Sequence, residues 1–280
     1  GTLVAEAGAI LQYLDEQVAG PAGWALPLDL GAKGSCHIGG NVSTNAGGLR
    51  LLRYGPLHGS VMGLEVVLPD GTVLDAGGAT RPAPLRKDNT GYHLKHLFIG
   101  GEGTLGIVTK VAIQCVPKPA SVQVVFLAAP SFQAVTGLLR EARSRLGEIL
   151  SAYEFLDATS MDMVRAHAPG AVHPLDASGE GGGAASPFYV LVETRGSVAE
   201  HDVAKLDAFL EAVMESGLVS DGAVARSETQ AAAMWRVREG IAESLGRRGA
   251  VYKYDVSLPT GCMYDMVDAT RARLTGLGLN

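Results

Sequence analysis

Short apolar runs separated by glycine dominate the first 120 residues, and strand-like and helix-like segments alternate after them. The pattern predicts a strand over 3–5 and a helix over 9–18, where Ile10, Leu11, Leu14 and Val18 share one face. Apolar strands over 64–68 and 72–75 flank Pro69-Asp70-Gly71, a turn whose residue types favour the required dihedral angles, and this predicts a hairpin. Two more strands, over 97–99 and 107–115, bracket a second glycine cluster, Gly100 to Gly106. Pro117-Lys118-Pro119 marks a boundary, because paired prolines end both strands and helices.

Beyond that boundary the pattern predicts a strand over 122–127 and a helix over 132–146 with Phe132, Val135, Leu139, Ala142 and Leu146 on one face. Strands over 149–155 and 188–193, a helix over 200–215 and a short strand near Ala223 follow. Two β-α-β units in this order predict an α+β fold with a split βαβ, ferredoxin-like layer. Between them, residues 173–186 are rich in Gly, Ala and Ser and read as a disordered surface insertion. A helix over 228–245, a strand over 251–258 and a helix over 264–274 complete the pattern.

Composition narrows the function classes. Hydrophobic residues are 47% and charged residues 19% of the 280, with mean hydropathy +0.17, which is enough apolar material for a large core. Lys and Arg number 23 against 29 Asp and Glu, a net charge of −6, and no basic stripe is visible, so nucleic-acid binding is not expected. The three cysteines, Cys36, Cys115 and Cys262, are far apart and form no C-x-x-C pair, which argues against a disulfide framework and a thiolate zinc site. The longest charge-free stretch, 119–139, contains two prolines, two glutamines and two serines and reads as strand, turn and helix, not a membrane span. The chain opens on Gly1-Thr2-Leu3 with no initiator methionine, so it is expected to be an internal part of a longer protein.

The segment most suggestive of chemistry is Gly31 to Gly55, in which seven of 25 residues are glycine, interleaved with Ser35, Asn41, Ser43, Thr44 and Asn45. Glycine lets main-chain N–H groups approach a ligand closely, and successive N–H groups form anion-binding concavities suited to a pyrophosphate. Small hydroxyls and amides add directional hydrogen bonds. Gly39 and Gly40 are expected to bring N–H groups to the pyrophosphate, and a Cβ at Gly40 is expected to clash with either the backbone or the phosphate. The second cluster, Gly101-Glu102-Gly103-Thr104-Leu105-Gly106, satisfies G-x-G-x-x-G but is followed by the β-branched, alternating run from Ile107 to Ile113. No acidic residue occurs from Ala120 to Pro130, so a Rossmann site is rejected. No G-x-x-x-x-G-K-[ST] is present, which excludes a phosphate-loop NTPase.

Gly34 to Asn41 continued through Thr44 to Gly48 resembles the second FAD-binding loop of the vanillyl-alcohol-oxidase-type (PCMH-type) FAD-linked oxidases, and Leu97 to Thr109 resembles their adenosine-side segment. Arg86 to Tyr92, Ala152 to Phe155 and Tyr252 to Asp255 are most similar to the branch that oxidises D-2-hydroxyglutarate, with extra residues at 82–85 and 174–185. The resemblance covers essentially the whole chain. It implies a bipartite FAD domain, of which 1–118 is the second portion, and a ferredoxin-like substrate cap at 119–280. It implies non-covalent FAD held by Ser35, Cys36, Ile38, Gly39, Gly40, Asn41, Thr44, Asn45, Gly47, Gly48, Glu102, Gly103, Thr104, Gly106 and Ile107. The first pyrophosphate loop is expected before Gly1. The ligands of a divalent metal, zinc or manganese, and the catalytic histidine are expected after Asn280, so no metal ligand or catalytic base is assigned here and the isolated chain is expected to be inactive.

The resemblance also implies that Arg238 and Lys253, on the next strand, bind a dicarboxylate, with Ala242 standing where the family has a threonine. Positions 238 and 242 share a helix face, and a guanidinium fork fits a carboxylate. The competing reading for Arg238 is a surface ion pair with Glu239 or Glu243, and for Lys253 a solvated strand lysine. The expected reaction is oxidation of a D-2-hydroxy acid, D-2-hydroxyglutarate to 2-oxoglutarate, by hydride transfer to flavin N5. Electrons pass to an electron-transfer flavoprotein or another acceptor, and the family pattern allows a homodimer. Localisation is expected in the mitochondrial matrix, or in the cytoplasm of a bacterium. D-lactate or glycolate dehydrogenase chemistry and an inactive flavin-free product are the alternatives.

Other features carry blander readings. Cys36 and His37 are neighbours with opposed side chains if extended, which does not suit a nucleophile pair. His93 and His96 lack a helix-spaced carboxylate to complete a metal site. Trp235 is expected in the core. His37 and His58 fall in the flavin half, and His167, His173 and His201 on or beside the variable surface of the cap.

Overall fold

The computed structural model describes residues 1–80, 87–168, 173–176 and 185–278. The extra residues predicted at 82–85, Arg86 and much of the 174–185 insertion lie outside the described residues. The chain divides into two compact units, Gly1–Ala120 and Ser121–Asn280.

The first unit is built on an antiparallel sheet of β1 (Thr2–Glu6), β5 (Ile107–Gln114), β3 (Val61–Val67) and β4 (Val73–Ala76), in the order β1-β5-β3-β4. β2 (Trp24–Ala25) and β6 (Val116–Pro117) form a separate short pair. The β3–β4 hairpin closes at the predicted turn, where Asp70 Oδ1 accepts the Thr72 N–H at 2.9 Å and the Gly71 N–H reaches Leu68 O. Three short helices accompany the sheet: α1 (Leu11–Tyr13), α2 (Ile38–Ser43) and α3 (Leu51–Tyr54). Leu11, Leu26, Ile38, Val42, Leu64, Val66, Val111 and Ile113 make up its dry interior.

Two expectations in this unit are corrected. The helix over 9–18 is only one α-turn, continued by a π-helical stretch, Leu14–Ala19, in which the Gly20 N–H bonds Asp15 O. The wider spacing brings Ala19 into the core beside Leu11 and Leu14 and leaves Ile10 and Val18 exposed. The strand over 97–99 is instead a 3-10 turn, Leu94–Leu97, that delivers Phe98 and Ile99 into the core. Three apolar residues are too few to distinguish strand from turn by period.

The second unit carries a four-stranded antiparallel sheet of β7 (Ser121–Ala129), β8 (Leu150–Asp157), β9 (Phe188–Gly196) and β10 (Asp221–Val224), in the order β10-β7-β9-β8. That order interleaves two split β-α-β units, with α4 (Phe132–Arg145) and α6 (Ala199–Glu215) as the crossovers. Ser131 caps α4 by accepting the Ala134 N–H at 3.1 Å. Within α4, Leu138 is fully buried, and Leu139, placed on the inner face by the sequence pattern, is half-buried. Two further helices, α5 (Ala158–His167) and α7 (Glu228–Arg248), contribute Met161, Val164, Met234 and Val237 to a cluster with Val124, Phe126, Tyr189 and Leu191 of the sheet. The charge-free stretch is therefore β7, a turn and the start of α4, and no described helix is long and apolar enough to cross a membrane.

Two corrections apply here too. Residues 251–258 form no strand; most of the segment is exposed, and no strand among the described residues pairs with it. A β-branched, aromatic run needs a neighbouring ladder to become a strand. His173 is buried, not on the surface: its ring packs edge-on against Tyr189 (5.0 Å) and Phe126 (5.9 Å). Its Nδ1 accepts the Leu175 N–H at 3.2 Å, and burial pushes its pKa below the ordinary value. A single anchor in a Gly/Ala/Ser-rich stretch leaves no periodic trace in sequence.

The last helix, α8 (Met263–Gly276), has no buried residue and is held by one constellation. Tyr264 packs against Phe132 (5.4 Å) and Phe188 (4.8 Å), and its hydroxyl donates to Asp157 Oδ2 at 3.0 Å. Arg271 Nη2 donates to the same oxygen at 2.7 Å, while Asp157 Oδ1 caps α5 by accepting the Ser160 N–H at 2.8 Å. Burial raises the Asp157 pKa, but the hydrogen bonds from Ser160, Arg271 and Tyr264 outweigh it and hold the carboxyl below its usual value. Its stabilisation is therefore complete above about pH 4, where an unfolded aspartate is ionised, and is lost as pH falls through the depressed folded value. Asp157→Ala is expected to cost about 2–4 kcal/mol at neutral pH, combining a lost helix cap with lost charge-assisted bonds. Urea unfolding of variant and wild type at pH 7 and pH 3 checks this: the gap should shrink at pH 3, and an unchanged gap would exclude the ionised carboxylate as its source.

Candidate functional site

The two glycine clusters of the first unit meet. The Gly100 N–H donates to Val42 O at 3.1 Å and the Glu102 N–H to Ser43 O at 2.9 Å, so the second cluster is hung from the C-terminal end of α2. Asn45 and Glu102 both adopt left-handed backbone (φ 48° and 50°). Asparagine is enriched in that conformation. The Asn45 amide has one orientation: its Oδ1 accepts the His58 backbone N–H at 3.1 Å, which turns Nδ2 toward His58 Nδ1 at 3.4 Å. Asn45 Nδ2 then donates, and His58 Nδ1 is the acceptor. The His58 ring lies 5.7 Å from that of His96, which is 6.1 Å from that of His93. Among the described residues no group of three His, Cys, Asp or Glu side chains is arranged to hold a metal ion, so they offer no ligand set for zinc or manganese.

The residues of the first cluster either pack the chain or expose an N–H, and Gly48 does both. Ile38 is fully buried, and its N–H donates to Ala9 O at 3.0 Å; the Gly39 N–H donates to Ala7 O at 2.9 Å. A Cβ on Gly39 would lie 2.4 Å from Ala7 Cβ, and one on Gly48 would lie 2.1 Å from Asp29 O, so both glycines permit close chain packing. Cys36 is half-buried and its carbonyl accepts the Leu11 N–H. By contrast, Gly40 and Gly47 are exposed and Gly48 half-buried, and the N–H groups of all three have no partner among the described residues. A Cβ at Gly40 would meet nothing within 4 Å, so the backbone clash expected there is not found. Asn41 is 7% exposed, yet its Oδ1 has no hydrogen-bond partner among the described residues. A buried amide oxygen without a partner costs stability unless a ligand satisfies it.

The hydroxyls donate to nearby backbone carbonyls, which leaves their protons committed within the chain. Ser35 Oγ donates to Ala32 O, Thr44 Oγ1 to Gly40 O at 3.1 Å, and Thr104 Oγ1 to Gly101 O at 2.6 Å. Gly103 takes φ 76°, and Gly106 lets the chain pack on β3, where a Cβ would lie 2.7 Å from Val66 Cγ1. Ile107 opens β5 and is exposed. No helix follows Gly106, as expected from the sequence.

In the second unit, Arg238 on α7 donates through Nε (2.9 Å) and Nη2 (2.8 Å) to Glu154 Oε2 on β8. Its partner is thus a cross-element glutamate, and neither Glu239 nor Glu243. One edge of the guanidinium is held and Nη1 is left over. Ala242 and Lys253 are exposed, and Lys253, off any strand, makes no ion pair among the described residues. Trp235 packs against the core as expected, and its indole N–H donates to Glu193 Oε2 at 3.1 Å. Glu154 lies in the Ala152 to Phe155 segment that carries the resemblance, which assigns it no role, and Asn45's partner His58 lies in no motif.

Residues 118–280 match the family model described as FAD linked oxidases, C-terminal domain, and residues 1–77 match the FAD binding domain. The chain is 55% identical over 274 residues to the mitochondrial D-2-hydroxyglutarate dehydrogenase of Bos taurus, covering 98% of this chain and 48% of that protein. It is also 55% identical to the mitochondrial D-2-hydroxyglutarate dehydrogenase of Arabidopsis thaliana, covering 99% and 47%. The chain spans about half the length of these curated relatives. A solved alkyldihydroxyacetonephosphate synthase superposes with a TM-score of 0.67 at 18% identity, covering 87% of this chain and 43% of that one, which shows a shared fold. With a family model matched over more than half its length and an FAD binding domain before it, the chain belongs to the FAD linked oxidases.

Proposed function

We propose that the first unit is the second portion of a bipartite, PCMH-type FAD-binding domain and the second unit its ferredoxin-like substrate cap, in a protein that oxidises D-2-hydroxyglutarate to 2-oxoglutarate. The observation that carries the flavin assignment is the cradle itself: three N–H groups with no partner among the described residues, at Gly40, Gly47 and Gly48, in the same cluster as the buried Asn41 Oδ1, which has none there either. Donors of this kind suit a pyrophosphate, and an amide oxygen suits a ribose hydroxyl or an amino group. When bound, FAD supplies the hydride acceptor. Asn45, Glu102, Gly103, Thr104, Gly106 and Ile107 form the wall that closes the cradle, while Ser35, Cys36, Ile38 and Gly39 shape the backbone leading into it. Arg238, with one edge anchored by Glu154, offers its remaining edge to one substrate carboxylate, and Lys253 offers a second cation. The names of the relatives support the substrate and a mitochondrial location, and electrons are passed on to an electron-transfer flavoprotein or a comparable acceptor.

The test is anaerobic reduction of the full-length protein. Purified protein should carry visible flavin absorbance, and D-2-hydroxyglutarate should bleach it far faster than D-lactate does. Equal bleaching by both acids would favour monocarboxylate chemistry, and a colourless protein that takes up no added FAD would overturn the flavin assignment.

A further inference from the structure

Arg50 lies two residues after Gly48, at the N-cap of α3, and is 6% exposed. A guanidinium is seldom buried without a job, because desolvating it is costly unless it is paired and hydrogen-bonded. In Arg50 both Nη groups are held, while the buried Nε has no partner among the described residues. Its Nη1 donates to Leu26 O at 2.5 Å and to Asp15 Oδ2 at 3.3 Å, and its Nη2 donates to Asp29 Oδ2 at 3.1 Å. These partners come from two separate segments. Asp15 sits in the π-helical stretch and binds the Leu26 N–H through Oδ1 at 2.7 Å; Asp29 lies on the chain after β2. The same Asp29 takes hold of the glycine cluster by its backbone, since its carbonyl accepts the Leu49 N–H at 3.1 Å, and Gly48 passes so near that a Cβ there would lie 2.1 Å from it.

We propose that Arg50 is a positioning residue for the flavin cradle: by tying Asp15, Leu26 and Asp29 together, it presents the Gly47 and Gly48 N–H groups to the ligand without touching it. The inference rests on the flavin assignment above. The clamp requires arginine. A lysine brings one compact ammonium, which cannot span two carboxylates and a carbonyl on different segments in place of a planar fork.

The experiment uses the full-length apoprotein, with added FAD as the probe. Arg50→Lys is expected to raise the FAD dissociation constant by roughly 10- to 100-fold, the cost of re-ordering a loop no longer held in its binding conformation. It should also speed amide hydrogen exchange at residues 44–49 more than elsewhere in the first unit. A purely structural arginine would lower the melting temperature but leave FAD affinity of the folded protein unchanged. Leu64→Ala, a core truncation in β3 away from the clamp, serves as the matched loss of stability and should not move that affinity. If Arg50→Lys does not fold, Arg50→Met combined with Asp15→Asn and Asp29→Asn removes the buried charges together, and the same loss of FAD affinity is expected. Wild-type binding with unchanged affinity and exchange in the foldable variant overturns the clamp alone. A wild-type protein that binds no FAD overturns the flavin assignment and the clamp together.

Discussion

Gly40→Val is expected to strip FAD from the full-length protein while leaving its fold intact, and Gly48→Ala is expected to damage the fold itself. The two glycines are eight residues apart in one cluster and look alike in sequence. At Gly40 a side chain would enter open space next to an N–H with no partner among the described residues, so the backbone tolerates it and only a ligand approaching that N–H would be blocked. At Gly48 even one methyl group would collide with Asp29 O, a backbone atom that cannot swing aside. Overpacking of this kind costs about 1–3 kcal/mol or more. The measurements are flavin absorbance after purification and the thermal midpoint of the apoprotein. Retained flavin in Gly40→Val would remove that N–H from the site; an unshifted midpoint in Gly48→Ala would show that the chain can part from Asp29 freely.

The second large effect concerns substrate. Arg238→Ala and Lys253→Ala should each lower kcat/KM for D-2-hydroxyglutarate by about 2–4 kcal/mol, roughly 30- to 1000-fold, as charge-assisted contacts to a carboxylate are lost. D-lactate turnover should fall less if either cation serves the distal carboxylate. For Arg238 the structure adds a constraint, because its Glu154 partner holds Nε and Nη2 on a single oxygen. Removing the arginine also leaves that half-buried carboxylate without its cation, so Glu154→Gln should be assayed alongside it to separate orientation from charge. Steady-state kinetics with both acids decides the matter: equal losses would place the cations on the shared C1 carboxylate or on the fold.

The elements that could be read from sequence were those whose signal is local and repeated. The β3–β4 hairpin follows from Pro69-Asp70-Gly71, and α4 from the spacing of Phe132, Val135, Leu139, Ala142 and Leu146. The order of strands and helices after residue 120 was enough to anticipate the split β-α-β arrangement, which the strand order β10-β7-β9-β8 realises. Rejection of a Rossmann site rested on the β-branched run after Gly106 and the lack of an acidic residue from Ala120 to Pro130.

The readings that failed were short or depended on distant partners. Residues 97–99 and 251–258 had the composition of strands, but strand formation is decided by a neighbour that composition does not contain. The π-helical shift that buries Ala19 in place of Val18 breaks the period on which the helix reading relied.

By itself, then, the sequence determined the α+β class, the location of both glycine clusters and, through the resemblance its motifs carry, the family, because these depend on local residue patterns. Only the tertiary structure decided which glycines pack and which expose an N–H, that Asn41 keeps a buried oxygen free, that Glu154 holds Arg238, and that Arg50 reaches Asp15 and Asp29. The Arg238–Glu154 and Arg50–Asp15 contacts join groups 84 and 35 residues apart, and such a contact exists only once the core has placed both segments.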